Sequence, residues 1–428
     1  MAMGIFLVGL IACVIMDISV LYAMLFGYGC FFVQAHYDGY NSSAILRFSV
    51  AGIQKSRNIL ILFILIGMLT GSWRASGTIP YIVYNSVDWI NPRFFVLSAF
   101  LLSTMMSSLI GTSFGTASIM GTVLIILAEI NGVDLAMTAG AVLAGAYFGD
   151  RCSPMSSSAR LVCDITNTDY YDNIGMWLQT IAIPYGLSIA AYVAFCRTES
   201  AQTIDAAFLQ EFNLYFTFNW LLLLPALILI VLSLLKINVR INMLISVFLA
   251  CLLCVFVQNI SLIQVATALI SGYVSPQDTQ LGAMFSGGGI ISMVRAGAIV
   301  LIASSYVGIF EATNMLRKIE GISAAVSRKI GAYAATLLAA TGTSMLACNQ
   351  TLAILMTDLL CSKNYNSKKR LALDIVNTTV LISGLIPWSI ACAVPLAIMN
   401  ADSSAIVYAF FLYLTPLWNL MIAKVLNK

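Results

Sequence analysis

Between Gly149 and Ser158 the chain reads GDRCSPMSSS, one carboxylate and four serines around a proline. A second polar stretch, NTTVLISGLIPWS at 377–389, carries Asn377 and Thr378 ahead of Gly384 and Pro387. Two further ones are GTSFGTAS at 111–118 and GTSMLACNQT at 342–351. Carboxylate, hydroxyl, amide and carbonyl oxygens are hard ligands that suit an alkali cation, whereas these stretches hold no imidazole and only the isolated thiols of Cys152 and Cys348, no ligand cluster for a transition metal. The candidate binding residues are Thr112, Ser113, Asp150, Ser153, Ser156, Ser157, Asn349, Gln350, Asn377 and Thr378. Among them Asp150, Ser153, Asn349 and Asn377 form the candidate cation ligands.

These residues interrupt a chain that is otherwise oil. Of its 428 residues 60% are hydrophobic and 9% charged, and its mean hydropathy is +0.94. A soluble domain carries about 25% charged residues, so the class is a polytopic α-helical membrane protein. Membrane segments are expected near 3–16, 18–36, 58–80, 94–131, 135–160, 175–197, 217–235, 241–258, 289–316, 330–362, 371–397 and 403–425. The first two form one apolar run that divides near Asp17, leaving one or two helices open. Pro154 disrupts its helix and frees carbonyls that lipid cannot satisfy, which is tolerated where the backbone lines a cavity or meets a ligand. A carboxylate inside a membrane segment is costly and marks a functional residue unless it is paired, for which adjacent Arg151 is the nearest candidate. Ser, Thr and Gly also serve close helix packing.

Segments 94–131 and 330–362 are too long for one crossing and carry Gly111-Thr112-Ser113 and Gly342-Thr343-Ser344 near their middles. Arms of about 16 residues reach about 24 Å, short of a bilayer, so both read as re-entrant hairpins with polar tips. GSWRASGTIP at 71–80 aligns with GIFEATNMLR at 308–317, and SPMS at 153–156 with IPWS at 386–389. Amphipathic connectors at 42–54 and 261–273 precede both copies. Residues 1–197 and 214–428 thus read as two repeats joined by the linker 198–213. Arg47, Lys55, Arg57, Lys236, Arg240, Arg328, Lys329, Lys363 and Lys368 to Arg370 fall on one side, which the positive-inside rule makes cytoplasmic. The second repeat is then inverted relative to the first, each with a hairpin and a broken helix, the build of a secondary transporter.

Enzyme chemistry finds no constellation. GTSFG at 111–115 matches a nucleophile elbow by letter, but that motif needs a strand-turn-helix setting and a histidine base, and the one histidine is His36. SGGGI at 286–290 lacks the Gly-Lys-Ser/Thr of a phosphate loop. No enzyme, no nucleic-acid partner and no cofactor is expected.

The motifs together resemble the NhaC family of sodium/proton antiporters. IGMLTGSWRASGTIP (66–80), GTSFGTASIM (111–120), GAYFGDRCSPMSS (145–157) and LIPW (385–388) stand in that family's order. The resemblance implies inverted repeats, a sodium site at the broken helices, and exchange across the cytoplasmic membrane of a bacterium. It also shows departures. Ser157, Asn349 and Val376-Asn377 stand where the family commonly has carboxylates, which leaves Asp150 as the motif's acid. Sodium can be held by neutral oxygens, but a proton needs a titratable group. Asp150 is therefore the expected proton carrier, with Glu311 second. The alternative is sodium-coupled transport of a small organic solute, an amino acid or carboxylate, which a more neutral site would suit. The partners expected are membrane lipid and a small ion or solute, with a homodimer left open.

Overall fold

Hydrocarbon offers no water to a backbone amide, so a chain this apolar satisfies its polar backbone within helices. The computed structural model describes residues 2–16, 20–86, 92–195, 216–235, 237–275, 282, 285–313 and 327–426. Among the described residues helices dominate, and the one sheet-like feature is an isolated antiparallel bridge between Tyr273 and Gly287. The fold is all-α. Ser113–Ile130 and Tyr170–Phe195 are each long and apolar enough to cross a membrane.

The N-terminal apolar run forms two helices, Ala2–Ile15 and Val20–Tyr37, packed on each other, with Phe6 set edge-on against Phe31. Asp17, where the sequence divides this run, lies outside the described residues, as does the linker 198–213. Both amphipathic connectors are helical, Ser42–Lys55 and Leu262–Ile270, and the second opens on a capping box between Ser261 and Gln264.

Two helix pairs are each joined by a turn of two residues. Phe95–Ile110 turns at Gly111 and Thr112 into Ser113–Ile130, and Ala332–Ala347 turns at Cys348 and Asn349 into Gln350–Cys361. The second turn corrects the expectation from sequence, because Gly342, Thr343 and Ser344 lie within the helix before it. Their hydroxyls have partners there. Thr343 donates to the Ala340 carbonyl at 3.2 Å and Ser344 meets Ser383 at 3.1 Å, so nothing forces the backbone to turn.

Two other helices break. Leu135–Cys152 stops before Pro154 and resumes as Ser157–Thr166, while the chain from Lys368 to Leu385 breaks at Pro387 and resumes as Ile390–Ile398, bent by 52°. The packing of the resumed helices is crossed. Ser157–Thr166 lies against Gln350–Cys361, and Ile390–Ile398 lies against Ser113–Thr116. One apolar cluster accordingly runs from Leu69 and Phe100 through Tyr147 to Leu381 and Leu412, so residues of both expected repeats share a core.

Candidate functional site

The site is built from two turns and two breaks. In the first turn Gly111 has φ 74°, a left-handed conformation that ends its helix, and a Cβ there would come within 2.7 Å of the Ser156 amide. Thr112 is extended and caps the following helix by accepting from Gly115 N at 3.1 Å. In the second turn Cys348 takes the left-handed position at φ 53°, and Asn349 caps by accepting from Thr351 N at 2.9 Å. Each turn touches a break. Gly111 lies on Ser156, while the Ile390 amide donates to the Cys348 carbonyl at 2.8 Å and the Trp388 indole to the Met345 carbonyl at 3.0 Å.

The breaks match in backbone shape. Ser153 and Ile386, before the prolines, are both extended, and Ser156 and Ser389 are both extended N-caps with φ −67° and −72°. A proline without an amide proton ends one helix, and a serine two residues later starts the next.

Asp150 sits on the last turn of the first broken helix, with 3% of its surface exposed. Gln350 Nε2 donates to its Oδ2 at 2.9 Å, the Ser158 hydroxyl lies 3.2 Å from Oδ1, and the Ser156 hydroxyl lies 3.3 Å from Oδ1. Both serines are shared. Ser158 also meets Gln350 Oε1 at 2.8 Å, and Ser156 also donates to the Asp150 carbonyl. Gln350 is fixed in turn by the Val380 carbonyl, which accepts from Nε2 at 3.0 Å. Among the described residues no Lys, Arg or His nitrogen pairs with this carboxylate.

Arg151 is not its partner. Successive residues of a helix point about 100° apart, and the guanidinium turns the other way. It is fully buried, with Nε donating to Asn377 Oδ1 at 3.1 Å, Nη2 to the same oxygen and to Thr180 Oγ1 at 3.1 Å, and Nη1 to Cys152 Sγ at 2.9 Å.

A cavity of ≈ 410 Å³ opens beside Asp150. Thr112, Ser113, Ser157, Ser158, Asn349 and Gln350 form its polar wall, Ile59, Leu62, Ile66, Phe114 and Met243 its apolar wall, and Arg240 reaches into it. Five of the residues singled out from the sequence thus join Asp150 on one surface. Ser156 stands just behind it, bonded to the carboxylate.

Ser153, Asn377 and Thr378 are placed elsewhere. The Ser153 hydroxyl accepts from Met155 N at 3.1 Å within the break, the Asn377 oxygen is taken by Arg151, and Thr378 donates to the Asp374 carbonyl at 2.6 Å. The Asn349 side-chain oxygen is held by its capping bond. Of the four candidate cation ligands, Asp150 keeps oxygens toward the cavity. Ser158 and Arg240 escape the reading of the sequence. Ser158 belongs to the serine run, but only the chain reversal at Pro154 brings it back to Asp150. Glu311 lies on the helix Val294–Thr313, its side chain outside the described residues.

A second acid, Asp374, is 1% exposed and faces Arg370, whose Nε lies 3.1 Å from Oδ1. Tyr365 donates to its Oδ2 at 2.7 Å, and burial, reinforced by the charge of Asp374, holds that phenol above the ordinary tyrosine range, so it remains a donor.

Comparison with known proteins adds a third line. The profile of the Na+/H+ antiporter family matches residues 1–161 and 145–426. An uncharacterized Na+/H+ antiporter of Haemophilus influenzae is 28% identical over 358 residues, covering 80% of this chain and 76% of that one. The Na+/H+ antiporter NhaC of Bacillus subtilis is 28% identical over 403 residues, covering 90% and 88%. A malate-2H+/Na+-lactate antiporter of Bacillus subtilis is 25% identical over 366 residues, covering 82% and 77%.

Proposed function

The chain belongs to the Na+/H+ antiporter family, a secondary active transporter that exchanges sodium for protons, and we propose that the exchange takes place at Asp150. The observation that carries this reading is a buried carboxylate on a cavity wall whose partners among the described residues are all neutral. A carboxylate tied to an arginine would hold no cation. This one is held by a carboxamide and two serines, and each of those groups also carries an oxygen that can turn to a sodium ion. Sodium and a proton then compete for the same pair of oxygens, which is the coupling an antiporter needs. Asp150, Gln350 Oε1 and the hydroxyls of Ser157 and Ser158 are the ligand set this geometry favours.

The two repeats, 1–197 and 214–428, are inverted about the site, with each folded-back helix pair entering the bilayer from its own side. Matched backbone at the two breaks and at the two turns supports this, as does the crossed packing of the resumed helices. The protein resides in the bacterial cytoplasmic membrane. The cavity walls at Ile59 and Arg240 belong to helix ends that the basic loops place on the cytoplasmic side, so the described conformation has its cavity toward the cytoplasm.

Transport in proteoliposomes tests the assignment. Asp150→Asn keeps size and one ligand oxygen but cannot carry a proton, and it is expected to abolish sodium-driven proton movement. Normal sodium-dependent proton flux in that variant sinks the assignment, and Glu311 is then the next carboxylate to replace.

A second reading has one observation of its own. The cavity is far larger than a sodium ion, and the half-buried Arg240 guanidinium on its wall has no hydrogen-bond or ion-pair partner among the described residues. An organic carboxylate would pair with it, and a relative's name includes malate and lactate. Sodium-dependent uptake of labelled carboxylates or amino acids into the same proteoliposomes, lost in Arg240→Gln, would favour this reading over simple cation exchange.

A further inference from the structure

We propose that the buried charge of Arg151 sets how tightly the Asp150 site holds a cation and makes it prefer monovalent to divalent ions. The inference rests on Asp150 as the cation site. Among the described residues every acceptor bonded to Arg151 is neutral: the Asn377 carboxamide, the Thr180 hydroxyl and the Cys152 sulfur. Among the described residues no carboxylate pairs with it. A guanidinium does not lose its proton inside a protein, so a full positive charge is buried there without a counter-ion.

Buried arginines ordinarily have a carboxylate, because an unpaired charge in the interior is expensive. Here the position facing the guanidinium is Asn377, where a carboxylate would fit and would cancel the charge. Asp150 and Arg151 are neighbours in sequence on one helix, their side chains about 100° apart, which puts the two charges about 8 Å from each other. A cation docked on Asp150 therefore feels Arg151 as well.

The size of the effect follows from Coulomb's law. At about 8 Å and an effective dielectric of about 20, the repulsion weakens a monovalent ion by about thirtyfold. It scales with the charge of the ion, so a divalent ion is weakened by on the order of a thousandfold. Divalent ions such as Ca2+ favour carboxylate oxygens and would otherwise occupy such a site. Sodium is left bound weakly enough to leave.

The rival role for Arg151 is mechanical, a tether joining the first broken helix to the second. Asn377→Asp separates the two roles, since it keeps the acceptor oxygen and adds a negative charge. Sodium- and calcium-dependent thermal stabilisation of the full-length protein in detergent reads the affinities directly, and the apparent KM for sodium in proteoliposomes reads them in transport. Asn377→Asp is expected to tighten sodium by up to about thirtyfold and calcium by up to about a thousandfold. Arg151→Gln removes the charge by another route and is expected to shift both in the same direction. Unchanged affinities, or equal changes for the two ions, overturn the proposal. So does a double variant, Asn377→Asp with Asp150→Asn, that still binds calcium, because the new carboxylate would then be the ligand. If Asp150→Asn alone binds sodium as the parent does, the site assignment fails rather than the role of Arg151.

Discussion

Among the described residues three neutral side chains, Gln350, Ser156 and Ser158, hold the Asp150 carboxylate, and in the proposed exchange its occupancy is a matter of competition. The sign is fixed. Above the carboxyl's pKa sodium meets an ionised site and its apparent affinity is independent of pH. Below that pKa a proton occupies the oxygens, and apparent sodium affinity falls about tenfold with each unit of pH. Sodium-dependent thermal stabilisation across a pH series checks this, and an affinity flat from acid to alkaline pH would mean the proton binds elsewhere. Gln350→Leu removes both the donor to Oδ2 and the facing Oε1, and a hydrogen bond to a charged group is worth about 1.5–3 kcal/mol, so sodium affinity should drop roughly tenfold to a hundredfold. That Asp150 is buried beside a cavity was anticipated from the sequence, because a carboxylate in an apolar run is costly and is expected only where it has polar company. The misplacement of Asn377 and Thr378 has a physical cause too. Residue type announces an oxygen but not its direction, and the Asn377 oxygen goes to a guanidinium 226 residues away in the chain.

At the scale of elements, proline was the dependable signal. Pro154 and Pro387 each end a helix where the sequence placed a break, because loss of an amide proton acts locally whatever surrounds it. Glycine and threonine act less locally. Gly111 marks a turn, whereas Gly342 passes through the middle of a helix in which neighbouring hydroxyls bond to carbonyls one turn back. The turn falls instead at Cys348 and Asn349, and the legible signal was the asparagine, a favoured N-cap, directly before Gln350. The helix that carries Asp150 is set by close contact. A Cβ on Gly149 would overlap the Ser107 carbonyl, so Gly149→Ala must push the broken helix off the first folded-back pair. Overpacking of this kind costs about 1–3 kcal/mol. The expected outcome is a lower melting temperature together with weaker sodium binding, since Asp150 is the next residue. A variant with parental stability would show that the two helices are free to part.

Over the whole molecule, the two-sided arrangement is open to chemical labelling. Leu135 and Asn366 are exposed and stand just beyond the first and second folded-back pairs. In the inverted arrangement Leu135→Cys reacts with an impermeant maleimide added outside intact cells, and Asn366→Cys reacts only once the cytoplasmic side is opened. Reaction of both from one side would rule out the inversion. The proposed repeat rests on a faint echo of motifs in the sequence, and the sharing of one core by both halves was not readable there, because contact between distant segments leaves no mark in local spacing. That sharing reaches the site. The Asp150 carboxylate and the Gln350 amide that holds it are 200 residues apart in the chain. A ribosome adds about 5–20 residues each second, so Asp150 enters the bilayer roughly 10–40 s before its partner has been made. During that interval the first half carries an acid with only the nearby serines for company, and the protonated form is the one that lipid tolerates best. In the exchange proposed for Asp150, the proton given up for sodium is thus also what would let the newborn half wait in the membrane for the second.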